Sequence, residues 1–102
     1  MFLPIVRFKV EDKSMEPNFK AGDYILVNKL AYIFKNPSKG DVVVLRHPKE
    51  KGKFLIKRIS LVTNSDEYYV VGDNKNFSQD SRHFGPVKKD LIIGKVLLHL
   101  RK

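Results

Sequence analysis

The sequence predicts a small all-β domain, a coiled and partly closed sheet or barrel, and three observations support this prediction. Short runs rich in β-branched and aromatic residues recur along the chain. Clusters of Gly, Pro, Asn and Asp separate these runs and provide turns. The length of 102 residues, with 42% hydrophobic and 11% aromatic content, suits one globular core. We therefore expect residues 1–102 to form a single domain.

The predicted strands follow one another with turn residues between them. The strand candidates are 5–10, 24–30, 41–47, 54–62, 67–72 and 91–100. The first of these alternates less cleanly than the others. Two strands begin after the similar turns AGD and KGD, in which Gly relaxes the backbone and Asp can accept hydrogen bonds within the turn. The segment 31–40 is predicted to be a connector, and 47–53 a polar loop.

Composition restricts the classes of function. The chain has 20 Lys and Arg residues against 11 Asp and Glu residues, but the basic residues are spread in ones and twos. Despite the net charge of +9, we therefore expect no nucleic-acid partner. Cysteine is absent, and the three histidines lack the paired spacing of a zinc site. We expect neither a metal nor another cofactor.

The apolar runs bear on the location of the protein. The longest runs contain four or five residues, whereas a membrane-spanning helix needs about 18. The apolar start of the chain is too short for a signal sequence. We expect a cytoplasmic protein. Membrane association is the alternative if an anchor or a partner lies outside this chain, and peripheral membrane contact stays open.

One lysine has an unusual predicted environment. Alternate residues of the strand 54–62 face opposite sides, so Lys57 shares a face with Leu55, Ile59 and Leu61. Burial on that face would lower the pKa of the amine from its ordinary value of about 10.4 and make the amine a usable base. Alternatively, Lys57 lies at the edge of the strand and extends its amine to water.

Two polar segments interrupt the apolar strands. The stretch KSMEPNFKAGD, 13–23, places Ser14 in a turn constrained by Pro17. The stretch GDNKNFSQDSRHFG, 72–85, begins with Gly72, predicted as a turn glycine, and contains many Asp, Asn, Ser and Arg residues. Ordinary surface turns have a similar composition, so neither segment identifies a site alone.

Taken in chain order, SMEP, IKRI and GDNKNFSQDSR resemble the signal peptidase I family of serine proteases. The similarity extends to KGDVVVL, FGPV and the closing IIGKV, so it covers nearly the whole chain. It implies the β-rich catalytic core of that family and a serine-type endopeptidase that acts on a precursor polypeptide. Larger members insert a second β domain after the lysine, where this chain has only 59–71, so the resemblance implies a minimal core.

The resemblance also implies roles for individual residues. Ser14 corresponds to the nucleophile and Lys57 to the general base of a Ser/Lys dyad. The supporting residues that it implies are Ser78, Asp80, Arg82, Asp73 and Arg58. Of these, Ser78 would hydrogen bond and orient the lysine, and Asp80 and Arg82 would form an ion pair.

The chemistry of such a dyad is simple. A serine hydroxyl is a weak nucleophile at neutral pH and needs a neutral base, which a desolvated lysine supplies without histidine. The Ser14 N–H is the expected oxyanion donor. Where the family commonly has Gly or Ser, this chain has Asp12, which either points away or leaves the oxyanion to the backbone. The residues expected to line substrate pockets are Val10, Met15, Leu55 and Ile56.

The resemblance also suggests a substrate class. Among short relatives without a membrane anchor, the chain is similar to the maturation proteases of nickel-type superoxide dismutase, above all in SRHFGPVKKDLIIGKVLL. A propeptide or signal-like N-terminal segment is then the expected substrate. The alternatives are a general signal peptidase I-like enzyme at the membrane, a non-catalytic or self-cleaving domain of the LexA type, and a basic binding module.

Overall fold

Residues 4–100 are described by a computed structural model and form one antiparallel sheet. Its strands are β1 (Ile5–Lys9), β2 (Tyr24–Asn28), β3 (Val42–Arg46), β4 (Phe54–Val62), β5 (Tyr68–Val71) and β6 (Ile92–Leu100). The remaining regular structure is one helical turn, α1 (Ser81–Phe84), and two 3-10 turns at Lys75–Phe77 and Lys89–Leu91. The all-β prediction is confirmed, and each predicted strand is present within two residues of its expected ends.

The order of the strands differs from their order along the chain. The sheet runs β1-β2-β6-β3-β4-β5, so the last strand lies between β2 and β3. The sheet is not closed: β1 and β5 are its edges, and they do not pair within residues 4–100. Register shifts in three ladders bend the sheet where one strand has an extra residue.

The hydrophobic core lies on both faces of this sheet. One cluster occupies the face over β3, β4 and β5, and its buried members are Tyr32, Val43, Leu45, Leu55, Ile59, Tyr68, Val70 and Val87. The second occupies the opposite face, and its buried members are Val10, Ile25, Val27 and Val44. The connector before β3 contributes to the first cluster, because Tyr32 turns inward and donates a hydrogen bond to Asp41 at 2.7 Å.

The strand β4 has the alternation that the sequence predicts over most of its length. Leu55, Lys57 and Ile59 are buried on one side, while Arg58 is only partly buried on the other. Leu61 is an exception, since it is 55% exposed. A register shift in the pairing with β5 lies between Ile59 and Leu61, where the alternation ends.

The segment after β5 is irregular and carries most of the short helical structure. The turn α1 begins after Asp80, whose side chain accepts the Arg82 N–H, and it ends at Gly85. Single turns of this length have no apolar periodicity, so the sequence did not predict them. Within residues 4–100, no helix is long and apolar enough to cross a membrane.

Candidate active site

Ser14 lies in the turn between β1 and β2 and is buried. Its carbonyl oxygen accepts a hydrogen bond from the Asn74 N–H at 2.8 Å, and the Asn74 side chain donates to the Lys13 carbonyl at 3.0 Å. The peptide bond between Glu16 and Pro17 is cis. These contacts join the serine turn to the irregular segment that follows β5, although about sixty residues of sequence separate them.

Lys57 is enclosed, with an exposed fraction of 1%. Its Nζ donates to the Ser78 Oγ at 3.1 Å, and that hydroxyl donates to the Asp80 Oδ2 at 2.7 Å. The alternative of a lysine at the strand edge is therefore wrong. A serine has one hydroxyl proton to donate, and Ser78 donates it in the hydrogen bond to Asp80. The Ser78 oxygen is therefore the acceptor for Lys57.

The surroundings of Lys57 lower the pKa of its amine. Desolvation by burial is the largest cause and favours the neutral form. The carboxylates of Asp12 and Asp80 act in the opposite direction, while Arg82 and Lys53 add to the lowering. The net direction makes Lys57 easier to deprotonate than an exposed lysine, which is the property that a lysine base needs.

Asp80 is fully buried, and both of its carboxylate oxygens accept hydrogen bonds. Arg82 makes two contacts with it, from Nε to Oδ1 at 2.9 Å and from Nη2 to Oδ2 at 2.6 Å. The Gly72 N–H also donates to Oδ2, at 2.9 Å. Burial alone would raise the pKa of the Asp80 carboxyl, but the bonds from Arg82, Ser78 and the backbone outweigh it and hold the pKa well below its usual value.

Arg58 and Asp73 form a second ion pair beside the first. The guanidinium donates from Nε to Oδ1 and from Nη2 to Oδ2, both at 2.9 Å, and Asn18 donates to the same carboxylate at 2.8 Å. Burial would raise the pKa of Asp73, and the bonds from Arg58 and Asn18 lower it overall. The Asp73 N–H points to the Met15 sulfur at 3.4 Å, so this pair also contacts the serine turn.

Gly72 has a different role from the one that the sequence suggested. Its φ is not in the left-handed region, so turn geometry does not require glycine here. A Cβ at this position would overlap Ser78 Oγ and would lie 2.7 Å from the Ser14 carbonyl oxygen. Glycine is needed because the serine turn and the lysine's partner approach the same backbone atom, and only the folded arrangement reveals that.

A cleft of about 430 Å³ passes Ser14. The four residues predicted to line substrate pockets all line this cleft, and they are Val10, Met15, Leu55 and Ile56. The charged residues that line the cleft are Asp12, which the sequence analysis had singled out, and Arg7, Lys9, Glu11 and Lys53, which it had not. Two of the predicted loop residues, Gly52 and Lys53, reach the cleft, so the 47–53 loop contributes to this surface.

Of the two expectations for Asp12, that its side chain points away is wrong, and that the oxyanion is left to the backbone stays a prediction. Its Oδ1 accepts the Ser14 N–H at 2.9 Å, so it does not point away. The expected oxyanion donor is therefore already bound to a carboxylate in this structure. Residue 12 lies two positions before the serine, which is a spacing at which Asp side chains accept backbone N–H groups in turns.

The three histidines lie apart from this cleft and have local partners. His47 accepts the Lys49 N–H at 3.0 Å, His83 caps the turn that begins at Asp80, and His99 contacts the Asp23 carboxylate at 2.7 Å. Across residues 4–100, no cluster of three or more His, Asp or Glu side chains has the geometry of a metal site.

A serine in a tight turn and a desolvated lysine on an all-β scaffold are typical of serine proteases that use a lysine base. Comparison with known proteins agrees with that class. The family model for signal peptidase, peptidase S26, matches residues 1–63 and 61–100. The chain belongs to this family and is a signal peptidase I-like serine endopeptidase.

Individual relatives show the extent of the match. The chain is 29% identical to signal peptidase I V of Bacillus subtilis, over 87% of this chain and 82% of that protein. It is 34% identical to the mitochondrial ATP-independent inner membrane protease subunit 1a of Arabidopsis thaliana, over 89% and 67%. It is 38% identical to signal peptidase I of Pseudomonas aeruginosa, over 88% of this chain but 32% of that longer protein.

Proposed function

We propose that this protein removes an N-terminal propeptide or signal-like segment from a precursor polypeptide, with Ser14 as nucleophile and Lys57 as general base. The observation that carries the proposal is the environment of Lys57. Its amine is buried and held by Ser78, and its pKa is lowered by desolvation. A structural lysine on an apolar strand face would otherwise only oppose folding.

The reaction follows from these assignments. Neutral Lys57 removes the proton from the Ser14 hydroxyl, and the Ser14 oxygen bonds to the scissile carbonyl carbon. The negative charge that develops on the carbonyl oxygen requires a backbone donor, for which the Ser14 N–H is suited. The Lys57 ammonium then protonates the leaving amine as the C–N bond breaks. Lys57 next takes a proton from a water molecule, whose oxygen bonds to the acyl carbon as the ester bond to Ser14 breaks, and the Lys57 ammonium returns that proton to the Ser14 oxygen.

Ser78, Asp80 and Arg82 support the base. Because the Ser78 proton is directed to Asp80, the Ser78 oxygen accepts one N–H of Lys57. The bidentate ion pair with Arg82 keeps Asp80 ionised and in place. The amine is then held by a hydrogen bond that leaves its lone pair free for the serine proton. Arg58 and Asp73 have a structural role: their ion pair holds the serine turn in place through the contact of Asp73 with Met15.

The cleft limits the form of the substrate. It is bordered by β1, a sheet edge, so an extended peptide can add as a strand beside Val10. The family resemblance implies small residues before the scissile bond. Resemblance in the C-terminal segment suggests the nickel-type superoxide dismutase precursor as substrate. The relatives, however, are named signal peptidases and inner membrane proteases. Their names favour precursors with signal peptides, and a membrane-associated location over a cytoplasmic one.

Cleavage of defined precursors tests this function. We expect the wild-type protein to cut one of the two precursor classes at one site, identified by mass spectrometry of both fragments. Ser14→Ala and Lys57→Met should each lower the rate by about a thousandfold or more, because neither group has a substitute. Circular dichroism should give the same fold for all three proteins.

Control reactions separate this mechanism from the alternatives. Cleavage should continue in EDTA and in single alanine variants of His47, His83 and His99, because the mechanism uses neither a metal nor a histidine. A basic binding module would tolerate replacement of Ser14 and Lys57. Undiminished cleavage by either variant would exclude the dyad.

A further inference from the structure

The oxyanion donor of the proposed mechanism is occupied by a side chain of the same protein. The Ser14 N–H donates to the Asp12 Oδ1 at 2.9 Å. A carboxylate oxygen carries negative charge, as does the carbonyl oxygen of a tetrahedral intermediate, so the two compete for one donor. Both Asp12 and Ser14 line the cleft, which places this competition where a peptide would enter.

The same carboxylate also acts on the base. The charged groups that influence Lys57 are Asp12, Asp80, Arg82 and Lys53. Of the two anions in this set, Asp80 is buried and held by several donors, including Arg82 and the Gly72 N–H. Asp12 is exposed to solvent. It is therefore the anion that can move away without breaking the buried network.

We propose that Asp12 is a displaceable inhibitory residue: its carboxylate occupies the oxyanion donor of the resting enzyme, and binding of a peptide carbonyl displaces it. This inference rests on the proposed function. Displacement has two consequences from a single movement. It frees the Ser14 N–H for the oxyanion, and it removes a negative charge from the neighbourhood of Lys57.

The consequence for Lys57 has a definite sign. An anion nearby favours the ammonium form, so Asp12 raises the pKa of Lys57 above the value that desolvation alone would produce. When the carboxylate leaves, the pKa falls and the neutral base is populated. Substrate binding would then activate the base as well as open the oxyanion site, and the unoccupied enzyme would keep a larger fraction of Lys57 protonated.

A purely structural role for Asp12 makes different predictions. An Asp that accepts the N–H two residues later is a common turn, and Asn forms the same turn with its side-chain oxygen. On that view the carboxylate stays in place when substrate binds, so it acts on Lys57 equally in the free enzyme and in the complex, and Asp12→Asn would shift the limbs of kcat/KM and kcat together. On our proposal Asn is a weaker, uncharged acceptor that competes less well with the oxyanion and does not stabilise the ammonium.

The test compares pH profiles of two kinetic constants. The profile of kcat/KM reports ionisations of the free enzyme and that of kcat reports those of the enzyme–substrate complex. A peptide with a cleavable site and no group that titrates between pH 6 and 10 is used at low salt. The proteins are wild type, Asp12→Asn, Asp12→Ser and, as a matched loss of one exposed carboxylate that does not line the cleft, Asp90→Asn.

We expect the rising limb of wild-type kcat/KM to lie at higher pH than the limb of kcat, by roughly half a pH unit or more. In Asp12→Asn the two limbs should coincide near the wild-type kcat limb, and kcat/KM at neutral pH should rise about threefold to tenfold. Asp12→Ser should rise at least as much, since its hydroxyl can donate to the oxyanion. Asp90→Asn should match wild type.

Each failure has its own signature. Coincident limbs in wild type, an unchanged separation in Asp12→Asn, or loss of activity in both Asp12 variants would overturn the inhibitory role while leaving Ser14-dependent cleavage intact. Absence of Ser14-dependent cleavage in wild type and all Asp12 variants would instead contradict the proposed function itself. Circular dichroism on each variant confirms that the rates belong to folded protein.

Discussion

At the scale of single residues, the central question is the charge of Lys57. The side chain is 1% exposed, so water does little to stabilise an ammonium there. Two carboxylates partly compensate, but desolvation is the larger influence and the pKa of the amine is lowered. The hydroxyl of Ser78 accepts from the amine and does not donate to it. The sequence does not indicate this direction, because it depends on the Ser78 hydroxyl donating to Asp80.

The first prediction concerns this base. Activity should rise with pH through an ionisation below about 10.4, because the pKa of Lys57 is lowered in the folded enzyme. Lys57→Arg should be inactive at every pH, since arginine keeps the charge but does not deprotonate in the working range. Ser78→Ala should stay folded and react more slowly, because the amine loses the acceptor that orients it. Cleavage rate against pH is the measurement, and an active Lys57→Arg enzyme would place the base elsewhere.

A second residue-scale prediction concerns Gly72. Gly72→Ala should lower the cleavage rate by roughly 100-fold, because the added Cβ must push apart Ser78 and the serine turn. Gly85→Ala is the control: its φ of 81° makes alanine strained, with nothing near the added Cβ. Its loss of roughly 1–3 kcal/mol in the free energy of unfolding should leave the rate of folded enzyme unchanged. Equal rates for the two variants would refute a special role for Gly72.

At the scale of elements, the segment from Gly72 to Gly85 connects β4 to the serine turn through hydrogen bonds. Asn74 bonds to the serine turn, and Ser78 and Asp73 bond to two neighbouring residues of β4, Lys57 and Arg58. The regular structure of the segment is limited to two single helical turns, so its position depends on these polar contacts and on Asp80. Hydrogen bonds stabilise this segment, whereas apolar burial stabilises the strands.

Asp80→Asn tests this dependence. Removing the charge leaves Arg82 without its ionic partner, and we expect the free energy of unfolding to fall by about 3 kcal/mol. Activity should fall with it, because Ser78 loses a strong acceptor. Asp90→Asn removes an exposed carboxylate, and we expect it to change stability by no more than about 0.5 kcal/mol. Urea denaturation of wild type and the two variants at neutral pH gives both values. An Asp80→Asn protein as stable as Asp90→Asn would contradict the dependence of this segment on Asp80.

At the scale of the whole molecule, the carboxylates determine the response to acid. The carboxyls of Asp41, Asp73 and Asp80 all have lowered pKa values in the fold, in each case because hydrogen bonds outweigh the burial that would raise them. The unfolded chain therefore binds more protons than the folded chain as the pH falls through the ordinary carboxyl range. Stability contributed by these groups is complete above that range and decreases below it.

The corresponding prediction is a loss of stability below about pH 4, where an unperturbed Asp begins to bind protons. Chemical denaturation at pH 7, 4 and 3 should give progressively smaller free energies of unfolding. The decrease should be smaller in Asp80→Asn, which lacks the group with the most strongly lowered pKa. A stability that is flat from pH 7 to pH 3 would show that these carboxyls bind protons equally in both states.

The sequence by itself determined the strands and their faces. Period-two alternation and turn residues are local properties, so they place β4 and assign Lys57 to its apolar face without tertiary information. Chain order of SMEP, IKRI and the GDN segment was enough to indicate the family. These features depend on neighbours in sequence, which is why a linear pattern contains them.

Only the tertiary structure decided how distant segments meet. The placement of β6 between β2 and β3 and the open sheet depend on pairing between strands far apart in sequence. The requirement for Gly72 arises where the serine turn and Ser78 approach one backbone atom. The sequence left open whether the Asp12 carboxylate points away, and in the fold it accepts the Ser14 N–H. Each depends on the distance and direction between groups in space, and no spacing along the chain specifies those.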